Sequence, residues 1–277
     1  MNVVIALWIR NLRAFLRNKP SLFFNLAFPF FFVFVFSSIF DGAIAMMLAG
    51  IIIATVFDLS LRISANTIDD MTSGFMKEVL VSPISRFTIA VGQFVSSATV
   101  GTVLGLLIYV IGMIFFPDVR PTSPLTVILV VVSMIFVGLV FSGFGLMIAS
   151  KSRNMQTFQA VSMAITMPMT FISGAYIPLS ALPTALQWVG RFNPMSYAVH
   201  FFRSIAIDST DPGMEAILAM EQEIIFTFWG ITITPMMSIF FLLAFGVVFL
   251  ILSTITFTRV DFSKMARNKA DAVDMWN

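Results

Sequence analysis

No cysteine occurs among the 277 residues, and histidine occurs once, at His200. The first absence excludes a disulfide framework, a thiolate metal site and a cysteine nucleophile. The second excludes a metal centre built from clustered histidines. Charge is also scarce. Asp, Glu, Lys and Arg together make up 11% of the chain, where a soluble domain carries about 25%. Sixteen basic residues oppose fourteen acidic ones, a balance that argues against nucleic acid as a partner. No G-x-x-x-x-G-K-[ST] phosphate loop and no G-x-S-x-G elbow can be found, so the sequence holds neither of those devices for binding ATP or attacking an acyl group.

Apolar residues fill the space that charge leaves. They reach 58%, with 32 Phe and 19 Met, and the mean hydropathy is +0.97. These values belong to a membrane protein. Charge-free stretches cover 20–40, 87–117, 121–150, 154–190 and 224–258, and each is long enough for one crossing of about 20 residues. A further apolar run begins at Ala43 and carries Asp58 and Arg62 near its end. Four residues apart on a helix, that pair shares a face and lowers the cost of burying either charge. The reading is an all-α integral membrane protein with six spans, at 21–40, 43–65, 89–115, 126–149, 156–178 and 235–257. Asp41-Gly42 makes a minimal turn between the first two. A β-barrel needs alternating segments, and the run PFFFVFVF does not alternate.

Basic residues set the orientation. Arg10, Arg13, Arg17 and Lys19, then Arg62, Lys77 and Arg86, then Lys151 and Arg153, then Arg259, Lys264, Arg267 and Lys269 fall on one side. Only Arg120, Arg191 and Arg203 fall on the other. The positive-inside rule then makes both termini cytoplasmic, in the cell membrane. The N-terminal segment 1–19 lacks the order of a cleavable signal peptide. Instead Ile5, Trp8, Ile9, Leu12, Phe15 and Leu16 form one helical stripe, opposite Arg10, Arg13 and Arg17. This predicts an interfacial amphipathic helix ending at Pro20.

Two segments outside the spans stand out. The loop 66–88 carries Phe75, Met76, Val79 and Leu80 at helical spacing before Pro83. A short helix with an apolar stripe away from lipid calls for a protein partner. The segment 179–234 is too interrupted to cross and too apolar for an ordinary loop. It is read as a pair of short re-entrant helices, with Trp188 and Trp229 as interfacial anchors. Asp208, Asp211, Glu215, Glu221 and Glu223 add a solvated acidic patch, and His200 is read as a surface or packing residue rather than a ligand.

The run G-F-M-K-E-V-L-V-S-P-I-S-R, Gly74 to Arg86, resembles the cytoplasmic loop of ABC-2 type exporter permeases. The stretch SGAYIPLSALPTALQWVGRFNPMSYAVHFFR, Ser173 to Arg203, resembles that family's signature after the fifth span. Matching positions are Ser173, Gly174, Pro178, Leu182, Pro183, Leu186, Gln187, Asn193, Pro194, Met195, Ser196 and Tyr197. The opening N-K-P-S-L-F-F-N-L-A-F-P, Asn18 to Pro29, is similar to the family's entry into span one. Departures are Phe75 in place of a usual Thr, and Asp69-Asp70 in place of an Arg-Glu pairing.

The resemblance implies a single transmembrane domain over 1–277 and a non-catalytic permease subunit of an exporter. It would pair with a second copy or a paralogue and with separate ABC ATPase subunits, which hold the ATP and Mg; the chain itself is expected to hold no cofactor and no metal. By the same resemblance Gly74, Phe75, Met76, Lys77, Glu78, Leu80, Ser82, Pro83 and Arg86 form the coupling segment, with Lys151 and Arg153 in a second, smaller contact. Gly174, Pro178, Leu182, Pro183, Gln187, Asn193, Pro194 and Tyr197 would close the outer end of the pathway. Nine Phe within 21–40, and Met163, Met167 and Met169 in span five, suit a lipophilic or amphiphilic cargo. The alternative class is a stand-alone secondary transporter or channel, for which Asp58, Arg62 and Pro168 are the only features within spans.

Overall fold

A bilayer offers the backbone no hydrogen-bond partner, so a chain this apolar must satisfy its amides within helices. The computed structural model describes residues 3–37, 44–72, 85–116, 120–121, 123–152, 154–207, 227–228 and 231–258, and nearly all of these are helical. In chain order they form α1 (Val3–Arg17), α2 (Lys19–Ser37), α3 (Ile44–Ile63), α4 (Asn66–Thr72) and α5 (Arg86–Phe115). Then come α6 (Pro124–Lys151), α7 (Met155–Phe171), α8 (Thr184–Phe192), α9 (Pro194–Ala206) and α10 (Pro235–Thr258). A 3-10 turn at Leu179–Ala181 precedes α8. A small antiparallel hairpin, β1 (Thr227–Phe228) and β2 (Ile231–Thr232), leads into α10.

Local chemistry fixes several helix starts. Ser85 Oγ accepts from the Thr88 amide, Ser123 Oγ from Thr126, and Asn154 Oδ1 from Thr157. Each satisfies an amide that the first turn would otherwise leave open. Pro124 then occupies the first helical position of α6, where its missing N–H costs nothing. The caps place α5 and α6 at 86 and 124 rather than at the expected 89 and 126. The N-terminal helix closes at Arg17 instead of Pro20, because Pro20 falls in the first turn of α2, where proline is tolerated.

The core is built around α3, which is buried along most of its length against α5, α6 and α9. Phe57 meets Phe141 edge-on at 4.5 Å. Where helices carry little volume they approach closely: Gly101 and Gly105 of α5 face Ser60 and Val56 of α3, and Gly145 of α6 faces Leu61. In lipid such small-residue contacts replace the hydrophobic effect as the source of helix association. Ser64 completes the junction, lying 3.3 Å from the Ser97 hydroxyl and donating to the Ser142 carbonyl at 3.2 Å.

Four helical stretches among the described residues are long and apolar enough to cross a membrane: Ile44–Asp70, Phe87–Phe115, Pro124–Lys151 and Met236–Thr258. Helices α1 and α2 meet at a 75° bend and make a fifth if the pair is taken as one span. Helix α7 is 17 residues long. It stops at Phe171, short of the expected 178, because the chain turns at Gly174, where φ is +85°. A side chain would be strained there, so glycine marks the turn that follows the helix. The Asp41-Gly42 turn, segment 73–84, Arg153, the acidic residues at 208–223, Trp229 and the tail from 259 lie outside the described residues.

Candidate functional site

Polar side chains collect at the two ends of this bundle. At the end where α1, α4, the start of α5 and the end of α6 meet, four residues close a network. Arg10 donates through Nη1 to Asp70 Oδ1 at 2.8 Å and through Nη2 to Oδ2 at 2.6 Å. Gln93 Nε2 donates to the same carboxylate at 3.2 Å, and Asn11 Nδ2 donates to Gln93 Oε1 at 3.0 Å. Asn11, Asp70 and Gln93 are buried. A bidentate guanidinium with a further amide donor is the arrangement a buried carboxylate requires. Trp8 adds a bond from Nε1 to Thr99 Oγ1 at 3.1 Å.

This network changes the expected orientation of α1. Leu7, Asn11 and Phe15 face the protein, while Ile5 and Leu16 from the expected stripe stay exposed. Arg10 turns inward to Asp70 instead of lying with Arg13 and Arg17 on the polar face. The buried carboxylate on α4 draws Arg10 in, because leaving that charge unpaired costs more than moving one guanidinium off the polar face. The segment expected to contact an ATPase follows α4 in the chain. Gly74, Phe75, Met76, Lys77, Glu78, Leu80, Ser82 and Pro83 lie outside the described residues; Arg86 begins α5 and Lys151, exposed, ends α6.

At the opposite end the signature residues assemble a bracket beyond α7. Asn193 works in two directions: Oδ1 accepts from the Met195 amide at 3.0 Å, and Nδ2 donates to the Met169 carbonyl at 2.6 Å. Tyr197 Oη donates to the Arg191 carbonyl at 2.7 Å and its ring stacks on Phe241 of α10 at 4.9 Å. Gln187 Nε2 donates to the Leu182 carbonyl at 2.9 Å. Pro183 precedes α8, and Pro194 opens α9. Pro178 leads into the 3-10 turn, whose Leu179 packs over Gly174. The expected pair of short helices is thus present, and all eight signature positions fall in one packed unit.

Arg203 was expected in an exterior loop; it is 2% exposed. Its Nε donates to the Met46 carbonyl of α3 at 3.0 Å and its Nη2 to the Gly174 carbonyl at 2.7 Å. His200, one turn earlier, packs inside and lies 3.1 Å from Ser238 Oγ through Nδ1. Burial, aided by the Arg203 charge, lowers its pKa to about 4. Trp188 is exposed, with the Arg191 guanidinium 4.2 Å over its ring. Among the described residues no cluster of acids and histidine could hold a metal ion.

Long apolar helices, a polar brace at one end and a packed unit of short helices at the other define a polytopic α-helical membrane protein. Residues 2–207 match the ABC-2 type transporter family. The chain belongs to that family. It is similar to the ycf38 protein of Cyanophora paradoxa, 26% identical over 155 residues, covering 56% of this chain and 53% of that one. It is also similar to the inner membrane transport permease YadH of Escherichia coli (strain K12), 23% identical over 128 residues, 46% of this chain and 48% of that one. Nodulation protein J of Rhizobium leguminosarum bv. viciae aligns further, 24% identical over 221 residues, 72% of this chain and 80% of that one. The chain spans about half the length of the first two relatives.

Proposed function

We propose that this chain is the membrane permease subunit of an ABC exporter, moving a lipophilic or amphiphilic substrate outward. Six segments cross: α2, α3, α5, α6, α7 and α10, with both termini in the cytoplasm. ATP and Mg belong to two separate ATPase subunits, and a second permease copy or paralogue completes the pathway. The carrying observation is the Arg10–Asp70 ion pair, which ties the N-terminal helix to the stem of segment 73–84. Force applied to that segment by an ATPase would be passed to α1 and α5 through Asp70 and Gln93 rather than dissipated in a loop. Closure of the ATPase pair then rocks the bundle between two packings.

Coexpression with an ATPase subunit containing a phosphate loop tests this reading. The expected result is co-purification, with substrate-stimulated ATP hydrolysis that alanine substitutions at Phe75, Met76 and Leu80 reduce. Stimulation that survives all three substitutions would remove the coupling role. The alternative, a stand-alone secondary transporter or channel, draws on the Asp58–Arg62 pair within α3; transport by the chain alone, without any ATPase, would favour it.

A further inference from the structure

From Ala45 to Leu61, every residue of α3 is buried except Thr55 and Asp58. Arg62 continues the same face, with the Asp58 and Arg62 side chains 39% and 59% exposed and Arg62 Nη1 3.3 Å from Asp58 Oδ2. Spacings of three and four put the three residues on one stripe. Asp58 lies about 21 Å along the helix from Ile44 at roughly 1.5 Å per residue, within a hydrocarbon core about 30 Å thick. An ion pair facing lipid tails at that depth is unfavourable, so such a stripe belongs to a water-accessible or protein-lined path. The chain just beyond α7 meets the same helix nearer its start, where the Ala175 carbonyl lies against Gly50, and there Tyr176 packs against Phe32 at 5.0 Å and Phe171 at 5.3 Å.

We propose that the Thr55–Asp58–Arg62 face of α3 is the headgroup site of the pathway and selects amphiphiles that carry both a positive and a negative charge. This rests on the transport reading above. A dipolar headgroup can exchange partners with the pair, its cation on Asp58 and its anion on Arg62, so that no charge is left alone. A singly charged headgroup would take one member and strand the other, a state that low dielectric penalises. Toward the Gly50 end of α3, the Tyr176, Phe32 and Phe171 rings offer apolar contact to a tail.

Equilibrium binding to the full chain in nonionic micelles tests the site with three single-chain probes: lysophosphatidylcholine, lysophosphatidylglycerol and hexadecyltrimethylammonium. The native chain is expected to favour the zwitterion by about tenfold, the scale of one ion pair. Asp58→Asn should shift preference toward the anionic probe, and Arg62→Gln toward the cationic one. Equal binding of all three probes by the native chain overturns the proposal, even if a variant fails to fold. So does an unchanged order in well-folded variants, or variants that alter only the oligomeric state by light scattering, which would make the stripe an interface between copies. Binding is read without an ATPase, so loss of ATPase pairing removes the exporter reading while headgroup preference stays measurable.

Discussion

The Arg203 guanidinium donates to the carbonyl of Met46, 157 positions earlier in the chain, at 3.0 Å. With the bond to Gly174, it staples the short helix α9 to the start of α3 and to the turn beyond α7. One buried side chain therefore holds three separate segments of the bracket together.

Replacing Arg203 with Met should lower the thermal unfolding temperature in detergent, at a cost of about 1–3 kcal/mol for carbonyls left without donors. Arg203→Lys should recover little of that loss. A single ammonium lacks the planar fork that serves two carbonyls at once.

Gly50 and Gly174 meet the same bracket from opposite sides. A Cβ on Gly50 would collide with the Ala175 carbonyl oxygen, and Gly174 holds φ +85°. Gly50→Ala is expected to cost about 1–3 kcal/mol by overpacking, and Gly174→Ala about 1–2 kcal/mol by left-handed strain. Thermal unfolding of each variant, compared with Gly92→Ala against the flexible Leu7 side chain, separates backbone collision from general sensitivity.

The Arg10–Asp70 pair predicts a coupling energy. Arg10→Gln and Asp70→Asn should each destabilise, and the double variant should be less impaired than the sum by about 0.5–3 kcal/mol. Equal additivity in a double-mutant cycle would show that the two side chains do not work together. In a complex with the proposed ATPase the single variants should also weaken stimulation of ATP hydrolysis, with little change in the ATPase's own basal rate.

His200 gives a pH dependence with a definite sign. Its native pKa is lowered to about 4 from 6.5, so between those values the unfolded chain binds a proton that the folded chain does not. Stability contributed at this site is present above about pH 6.5 and falls as pH drops toward 4. His200→Gln, which keeps a polar partner for Ser238, should flatten the slope of unfolding temperature against pH in that window. A slope unchanged by the substitution would assign the effect to other groups.

Several elements were legible in the chain before any tertiary contact was known. The pairing of Asp58 with Arg62 followed from a four-residue spacing and occurs as expected. The starts of α5 and α6 lay within three residues of the apolar windows, displaced only by Ser85 and Ser123 caps. The signature residues Asn193, Pro194 and Tyr197 were visible as a pattern, although not as hydrogen bonds. The brace was legible only at Asp70, where Asp69-Asp70 departs from the family pattern; neither Asn11 nor Gln93 stood out, because a lone amide in an apolar window does not announce its partner.

The sequence alone determined where apolar helices form, because burial of long apolar runs and the capping of their first turns are local matters. It also carried the pattern of family resemblance along both ends of the bundle. Tertiary structure decided which polar residues are internal. Arg10 finds Asp70 across 60 positions, Asn11 finds Gln93 across 82, and Arg203 finds Met46 across 157. Whether a charge counts as a surface marker or a buried staple depends on what approaches it in space. Composition and spacing hold no record of that approach.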